Sequence, residues 1–181
     1  GLACEGLSPR RQLKMFPSLD SYGLLFGMGM VSDDTEHTVM VAQSLIVSGG
    51  DARHFARNFA WRLRAWLAAL PAGVGMATGR AILKLWLFIP PPYSGVRSAG
   101  NGPAMRAAVL GVAFGDDPAA LLQLNRISAR ITHRDERADE GALIVATAAH
   151  LAAACTASVF ADEFVALMAE RLPGHSAVLA S

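Results

Sequence analysis

Cysteine is nearly absent: Cys4 and Cys155 are the only two in 181 residues, and they stand 151 positions apart. That separation matches neither a disulfide scaffold nor a C-x2-C metal spacing. Both are expected as reduced thiols in a cytoplasmic protein. Charge is sparse as well, at 17% of residues against the usual ~25%. Sixteen Lys and Arg against fifteen Asp and Glu leave a net charge of +1. With no basic excess to neutralise a run of phosphates, the composition disfavours nucleic-acid binding by bulk charge. Apolar residues reach 52%, which excludes disorder as a description of the whole chain.

The first residues, Gly1-Leu2-Ala3-Cys4-Glu5, hold no basic region followed by an apolar run, so no signal peptide is expected. One uncharged run, residues 141–161, is long enough to span a bilayer. Much of it is weakly apolar Ala, it carries Thr147, His150, Thr156 and Ser158, and its flanks are acidic: Asp139 and Glu140, then Asp162 and Glu163. Those flanks lack the Lys and Arg of a membrane anchor. The run is expected as a buried central helix whose small residues mark close packing, with no membrane partner.

Alternating β-branched runs bounded by hairpin turns are missing too, so the fold class is all-α, in a single domain over residues 1–181. Acidic caps and Gly49-Gly50 bracket a helix over 33–47. Phe55, Phe59, Leu63, Trp66, Leu67 and Leu70 recur at helical steps over 51–70, with Arg53, Arg57 and Arg64 on the other side. Residues 71–79 read as a Gly-rich loop, 80–88 as a helix stopped by Pro90-Pro91-Pro92, and 90–103 as a long loop. Asp116-Asp117-Pro118 opens a helix to about residue 131. A buried run over 135–156 and an amphipathic stretch to Leu172 follow.

Three clusters carry chemistry. Ser32-Asp33-Asp34-Thr35-Glu36-His37-Thr38 packs adjacent carboxylates and hydroxyls into a helix start. Hard oxygens of this kind suit Mg²⁺, Mn²⁺ or Ca²⁺ and not zinc. A capping box of Asp33 with Glu36 explains the same residues without a ligand. Gly27-Met28-Gly29-Met30-Val31 just before them would set the acids at the edge of a core, where an unpaired carboxylate pair is costly. The second cluster, Ser98-Ala99-Gly100-Asn101-Gly102-Pro103-Ala104-Met105-Arg106, is a small-residue loop running into a helix. It is either an anion cradle or a plain turn at Asn101-Gly102. The third is Thr132-His133-Arg134-Asp135, with His133 at a helix entrance.

In order along the chain, these pieces resemble the ADP-ribosylglycohydrolase family, all-α hydrolases that remove ADP-ribose from modified side chains or small molecules. The resemblance rests on Glu5 in Ala3-Cys4-Glu5-Gly6, on Ser32-Asp33-Asp34-Thr35-Glu36, on Gly73-Val74-Gly75, on Ser98-Ala99-Gly100-Asn101-Gly102 with Met105-Arg106, and on Thr132-His133. It covers residues 1 to about 150. It implies an orthogonal helical bundle in which Ser32, Asp33, Asp34 and Thr35 are ligands of a pair of Mg²⁺ ions, with Mn²⁺ as a substitute. Glu5, Asp33 and Asp34 become the catalytic acids, and Ser98, Gly100, Asn101, Gly102 and His133 the substrate-binding residues. The implied partner is an ADP-ribosylated protein or an ADP-ribose-containing small molecule. Two ions would hold the ribose diol and a water while carboxylates relieve an oxocarbenium-like transition state.

The family also carries a later D-x-D-[TS] cluster. After His133 the acids are Asp135, Asp139, Glu140, Asp162, Glu163 and Glu170, with no D-x-D among them. The chain is therefore expected to match about the first three-fifths of such an enzyme and to form an incomplete bundle. Two other readings stand beside the hydrolase: an inactive ADP-ribose-binding module or truncated fragment, and a structural helical protein whose acids are caps.

Overall fold

Capping chemistry sets most of the helix boundaries. The computed structural model describes residues 6–18, 29–154 and 166. Among them run seven α-helices: α1 (Pro9–Met15), α2 (Asp33–Ser48), α3 (Ala52–Ala68), α4 (Met76–Trp86), α5 (Ala108–Phe114), α6 (Pro118–Thr132) and α7 (Glu136–Ala154), with a 3-10 turn at Ala104–Arg106 before α5. No strand occurs among the described residues, and the all-α expectation holds. α2 stops where Gly49 takes the left-handed conformation, φ 58°, which a residue without Cβ adopts at little strain. The Asp51 carboxylate caps α3 by accepting from the His54 N–H at 2.8 Å. Asp117 caps α6 by accepting from the N–H groups of Ala119 and Ala120 at 3.1 and 3.0 Å, with Pro118 at the first helical position.

The core gathers around α3. Phe55, Phe59 and Leu63 are fully buried and meet α2 through Val41, α4 through Ile82 and Leu85, and α6 through Leu124 and Ile131. Leu70 departs from the expected stripe: α3 ends at Ala68, and Leu70 lies beyond it, exposed. On the far side α5 packs on α7. There a Cβ on Gly111 would lie 1.7 Å from the Ala146 carbonyl oxygen, so the two backbones are nearly in contact.

Other boundaries differ from expectation. α4 begins at Met76 and carries Gly79 inside it; the glycines of 71–79 suggested a loop, yet the residues around them continue a helical turn. α7 buries Ala138, Ala142, Ala146 and Thr147 only. Those four lie along one stripe, so α7 is a half-buried helix with close contacts to α5 and not a central one. No helix among the described residues is long and apolar enough to cross a membrane. The amphipathic stretch expected up to Leu172 lies outside the described residues, apart from residue 166.

The segment between α4 and the 3-10 turn is stitched to the bundle. The Ser94 hydroxyl donates to Ile131 O at 2.9 Å. Val96 N–H donates to Thr132 O at 3.0 Å, and Arg134 N–H donates to Val96 O at 2.8 Å, forming an isolated parallel bridge between Val96 and His133. Lys84 Nζ adds bonds to the carbonyls of Tyr93 and Gly95. These contacts set the glycine loop that follows against the end of α6.

Candidate active site

A cleft of about 240 Å³ opens where the start of α2, the start of α4, the glycine loop and the end of α6 converge. Asp33 lines it from α2. Ser98, Gly100, Asn101 and Gly102 line it from the loop, and His133 from the end of α6. Six of the residues to which the sequence resemblance gives a catalytic, metal or substrate-binding role therefore share one cavity. Ser32, half-buried, and Asp34 and Thr35, both exposed, sit beside Asp33 but do not line the cleft. Glu5 lies outside the described residues.

The first turn of α4, with Gly75, Met76, Ala77 and Thr78, forms another wall. The opening N–H groups of a helix have no intrahelical acceptor, and Gly75 at the N-cap offers no side chain to them. They are donors available to an anion, reinforced by the helix dipole. This wall was not singled out as a binding element, although Gly73-Val74-Gly75 was noted as a motif.

Three local expectations change. Asp33 and Glu36 do not form a capping box: Ser32 is the N-cap, with no side-chain capping bond, and the Glu36 carboxylate accepts from Trp66 Nε1 at 2.6 Å. His133 is the C-cap of α6, at a helix exit and not an entrance. The glycine loop runs into a three-residue 3-10 turn, so the α-helix start that serves the cleft belongs to α4. Within the loop the Gly100 N–H donates to the Ser98 hydroxyl at 3.2 Å, which leaves the hydroxyl proton of Ser98 as a donor.

Beneath the loop lies Arg106, fully buried. Its Nη2 donates to Ser128 O at 2.8 Å and to Thr132 Oγ1 at 2.7 Å, and its Nε donates to Ser128 Oγ at 3.2 Å. The guanidinium stacks over Phe59 at 5.0 Å and faces His37 Nδ1 at 3.5 Å. No carboxylate pairs with it among the described residues. Burial pushes it down to about 9, so it keeps its charge at neutral pH. Burial first, and then the Arg106 charge, hold His133 down to about 4 and His37 down to about 3. Both imidazoles are neutral at pH 7, and the positive field at the cleft comes from Arg106.

The family model described as ADP-ribosylglycohydrolase matches residues 1–181. The chain belongs to the ADP-ribosylglycohydrolase family. The match extends past the residues 1–150 that carry the sequence motifs. Among relatives, an uncharacterised protein of Archaeoglobus fulgidus is 32% identical over 170 residues, covering 90% of this chain and 53% of its own length. The ADP-ribosyl-[dinitrogen reductase] glycohydrolase of Rhodospirillum rubrum is 32% identical over 125 residues, covering 67% of this chain and 41% of its own. The chain thus spans about half the length of these relatives.

For this member of the family the metal question reduces to donors. Asp33 is a carboxylate only 8% exposed on the cleft wall, and Asp34, Ser32 and Thr35 are adjacent in sequence; hard oxygens of this kind have the chemistry that Mg²⁺ or Mn²⁺ takes, although Asp33 alone of the four lines the cleft. Among the described residues, however, no three acids, histidines or cysteines gather as a metal group. Two six-coordinate ions need on the order of ten donor positions, more than these residues supply. His37, Arg106 and Thr132 belong to the three sequence clusters but have no individual site role there, because the packing that joins them is not local and an arginine with no acidic neighbour in sequence reads as a surface group.

Proposed function

We propose that the cleft binds ADP-ribose and that the protein hydrolyses the glycosidic bond joining ADP-ribose to a modified protein side chain or a small molecule. The observation that carries this reading is the meeting, in one cavity, of a buried carboxylate with two sources of N–H donors and an imidazole. The donors are the first turn of α4 and the glycine loop, and the imidazole is His133. In this reading the diphosphate lies against the α4 N–H groups and the Ser98–Gly102 loop, with the Arg106 charge beneath. Asp33 takes the proton of the attacking water as the bond to the anomeric carbon breaks, and the leaving group takes its proton from a second acid, Glu5 or Asp34. Asp34 and Glu5 are the further acids of the proposal. A Mg²⁺ or Mn²⁺ ion held through Asp33, with Asp34, Ser32 and Thr35, would supply charge stabilisation there. The spacing of Cys4 and Cys155 favours a reducing, cytoplasmic setting.

A second reading, an ADP-ribose-binding module without turnover, is favoured by one observation: Asp33 is the only acid lining the cleft among the described residues. Isothermal titration with ADP-ribose, with and without Mg²⁺, beside a hydrolysis assay on ADP-ribosylated protein separates the two. Binding with metal-stimulated turnover supports the hydrolase, and binding alone supports the module. Absence of binding defeats both.

A further inference from the structure

A buried cation beneath the cleft faces a choice of proton positions on the residue above it. Arg106 Nη2 has two hydrogens and no acceptor capacity; one goes to Ser128 O at 2.8 Å and the other to Thr132 Oγ1 at 2.7 Å. Thr132 Oγ1 therefore accepts from the guanidinium, and its single hydroxyl proton remains to be donated. Two acceptors are within reach: Ala129 O at 3.4 Å and His133 Nδ1 at 2.9 Å. The nearer is the imidazole nitrogen, and a hydroxyl polarised by a charged donor in a low-dielectric interior is itself a stronger donor. The reverse arrangement would aim an N–H dipole at a threonine oxygen already bonded to the guanidinium.

We propose that Arg106 and Thr132 are positioning residues that lock His133 in the tautomer carrying its proton on Nε2, so that the ring presents an N–H donor to an oxyanion in the cleft. The ring edge in question lies under the loop: Cβ atoms built on Gly100 and Gly102 would stand 3.2 and 3.3 Å from His133 Nε2. A diphosphate oxygen needs a donor at that edge, whereas the other tautomer offers a lone pair and repels it. Because His133 is held down to about 4, it stays neutral at pH 7 and the tautomer decides what the ligand meets. The Val96–His133 bridge fixes the backbone on which the ring stands, leaving the side-chain relay to set the proton.

The choice of oxyanion rests on the ADP-ribose reading; the tautomer does not. Nitrogen-15 NMR of the free protein, with the His133 signals assigned by their loss in His133→Gln, reads the tautomer directly. Wild type is expected to show a protonated Nε2 and an unprotonated Nδ1. Thr132→Val, nearly isosteric, should mix the tautomers and weaken ADP-ribose binding about tenfold, while Thr132→Ser should restore both. A protonated Nδ1 in wild type overturns the proposal without recourse to any variant. So does a folded Thr132→Val that keeps the Nε2–H tautomer and wild-type affinity. If wild type shows the Nε2–H tautomer but does not bind ADP-ribose, the functional reading fails and the relay survives.

Discussion

Two glycine-to-alanine substitutions in packed helices should have opposite signs. At Gly111 in α5 an added Cβ would lie 1.7 Å from Ala146 O, 2.5 Å from its C and 2.9 Å from its Cα. All three are backbone atoms of α7, with no flexible side chain to yield. Relieving the clash requires α5 to retreat by about 1.5 Å, and a gap of ~0.5–1 Å already forfeits a quarter to a half of the dispersion attraction. Overpacking of this kind typically costs ~1–3 kcal/mol, and the rigid neighbour argues for the upper end. Alanine returns ~1 kcal/mol of helix propensity, so Gly111→Ala should lose about 2 kcal/mol. In α7 a Cβ on Gly141 meets nothing within 4 Å, and Gly141→Ala should gain up to ~1 kcal/mol. At ~2–4 °C per kcal/mol the two variants should differ by roughly 6–12 °C in Tm. Urea unfolding followed by circular dichroism, with an unchanged m-value, gives the same difference as a midpoint shift. A Gly111→Ala protein as stable as Gly141→Ala would refute the close approach of α5 and α7.

Acid should unfold the protein through its buried imidazoles. His133 and His37 are lowered to about 4 and about 3 in the folded chain, and the unfolded value is near 6.5. Their contribution is therefore fully present above pH 6.5 and is lost as pH falls, with a slope approaching ~2.7 kcal/mol per pH unit once two protons are taken up; urea midpoints flat between pH 7 and 5 would contradict it. Asp117→Ala should cost ~1 kcal/mol by removing the α6 cap, read as a lower Tm. Gly102→Val puts a Cβ 2.7 Å from His133 Cε1 and should weaken ADP-ribose binding with helical circular dichroism intact; unchanged affinity would remove the loop from the site. Asp33→Asn with Asp34→Asn should abolish any rise in Tm produced by millimolar Mg²⁺ or Mn²⁺, and a persisting rise would place the ion elsewhere.

The limits of the sequence show most clearly in its arginines. Arg53 and Arg57 are exposed, as their place opposite the apolar stripe of α3 implies. Arg106 follows the same local grammar, in a Gly- and Ala-rich stretch, yet it is fully buried. Nothing within a few residues reveals that Ser128 and Thr132, on a helix more than twenty positions later, supply its acceptors. Caps were legible because they are local: Asp51 and Asp117 bond N–H groups within three residues. Glu36 had the right spacing for a capping box, but its carboxylate goes to Trp66 thirty residues away, a bond that only α2 packing on α3 creates. The glycine loop and His133 were legible as candidates. The wall from α4 was not, because Gly75 and Gly79 read as loop residues when tertiary packing makes one an N-cap and the other part of the helix.

The Val96–His133 bridge divides the long connection after α4 into two stretches with different freedom to change length. Upstream, Pro90, Pro92 and Tyr93 are exposed, so extra residues there would bulge into solvent. From Ser94 to the bridge the chain is already held: Ser94 is fully buried, and Gly95 is pressed so closely on α6 that a Cβ would lie 2.4 Å from Arg130 O. From there to Gly102 the chain has two fixed ends, the bridge and the floor over Arg106. An insertion in that interval would have to lift the loop off His133 or break the bridge, whereas an insertion of the same size near Tyr93 would leave the cleft as it is. Variation in chain length among descendants of this sequence should therefore accumulate before Ser94 and stop there.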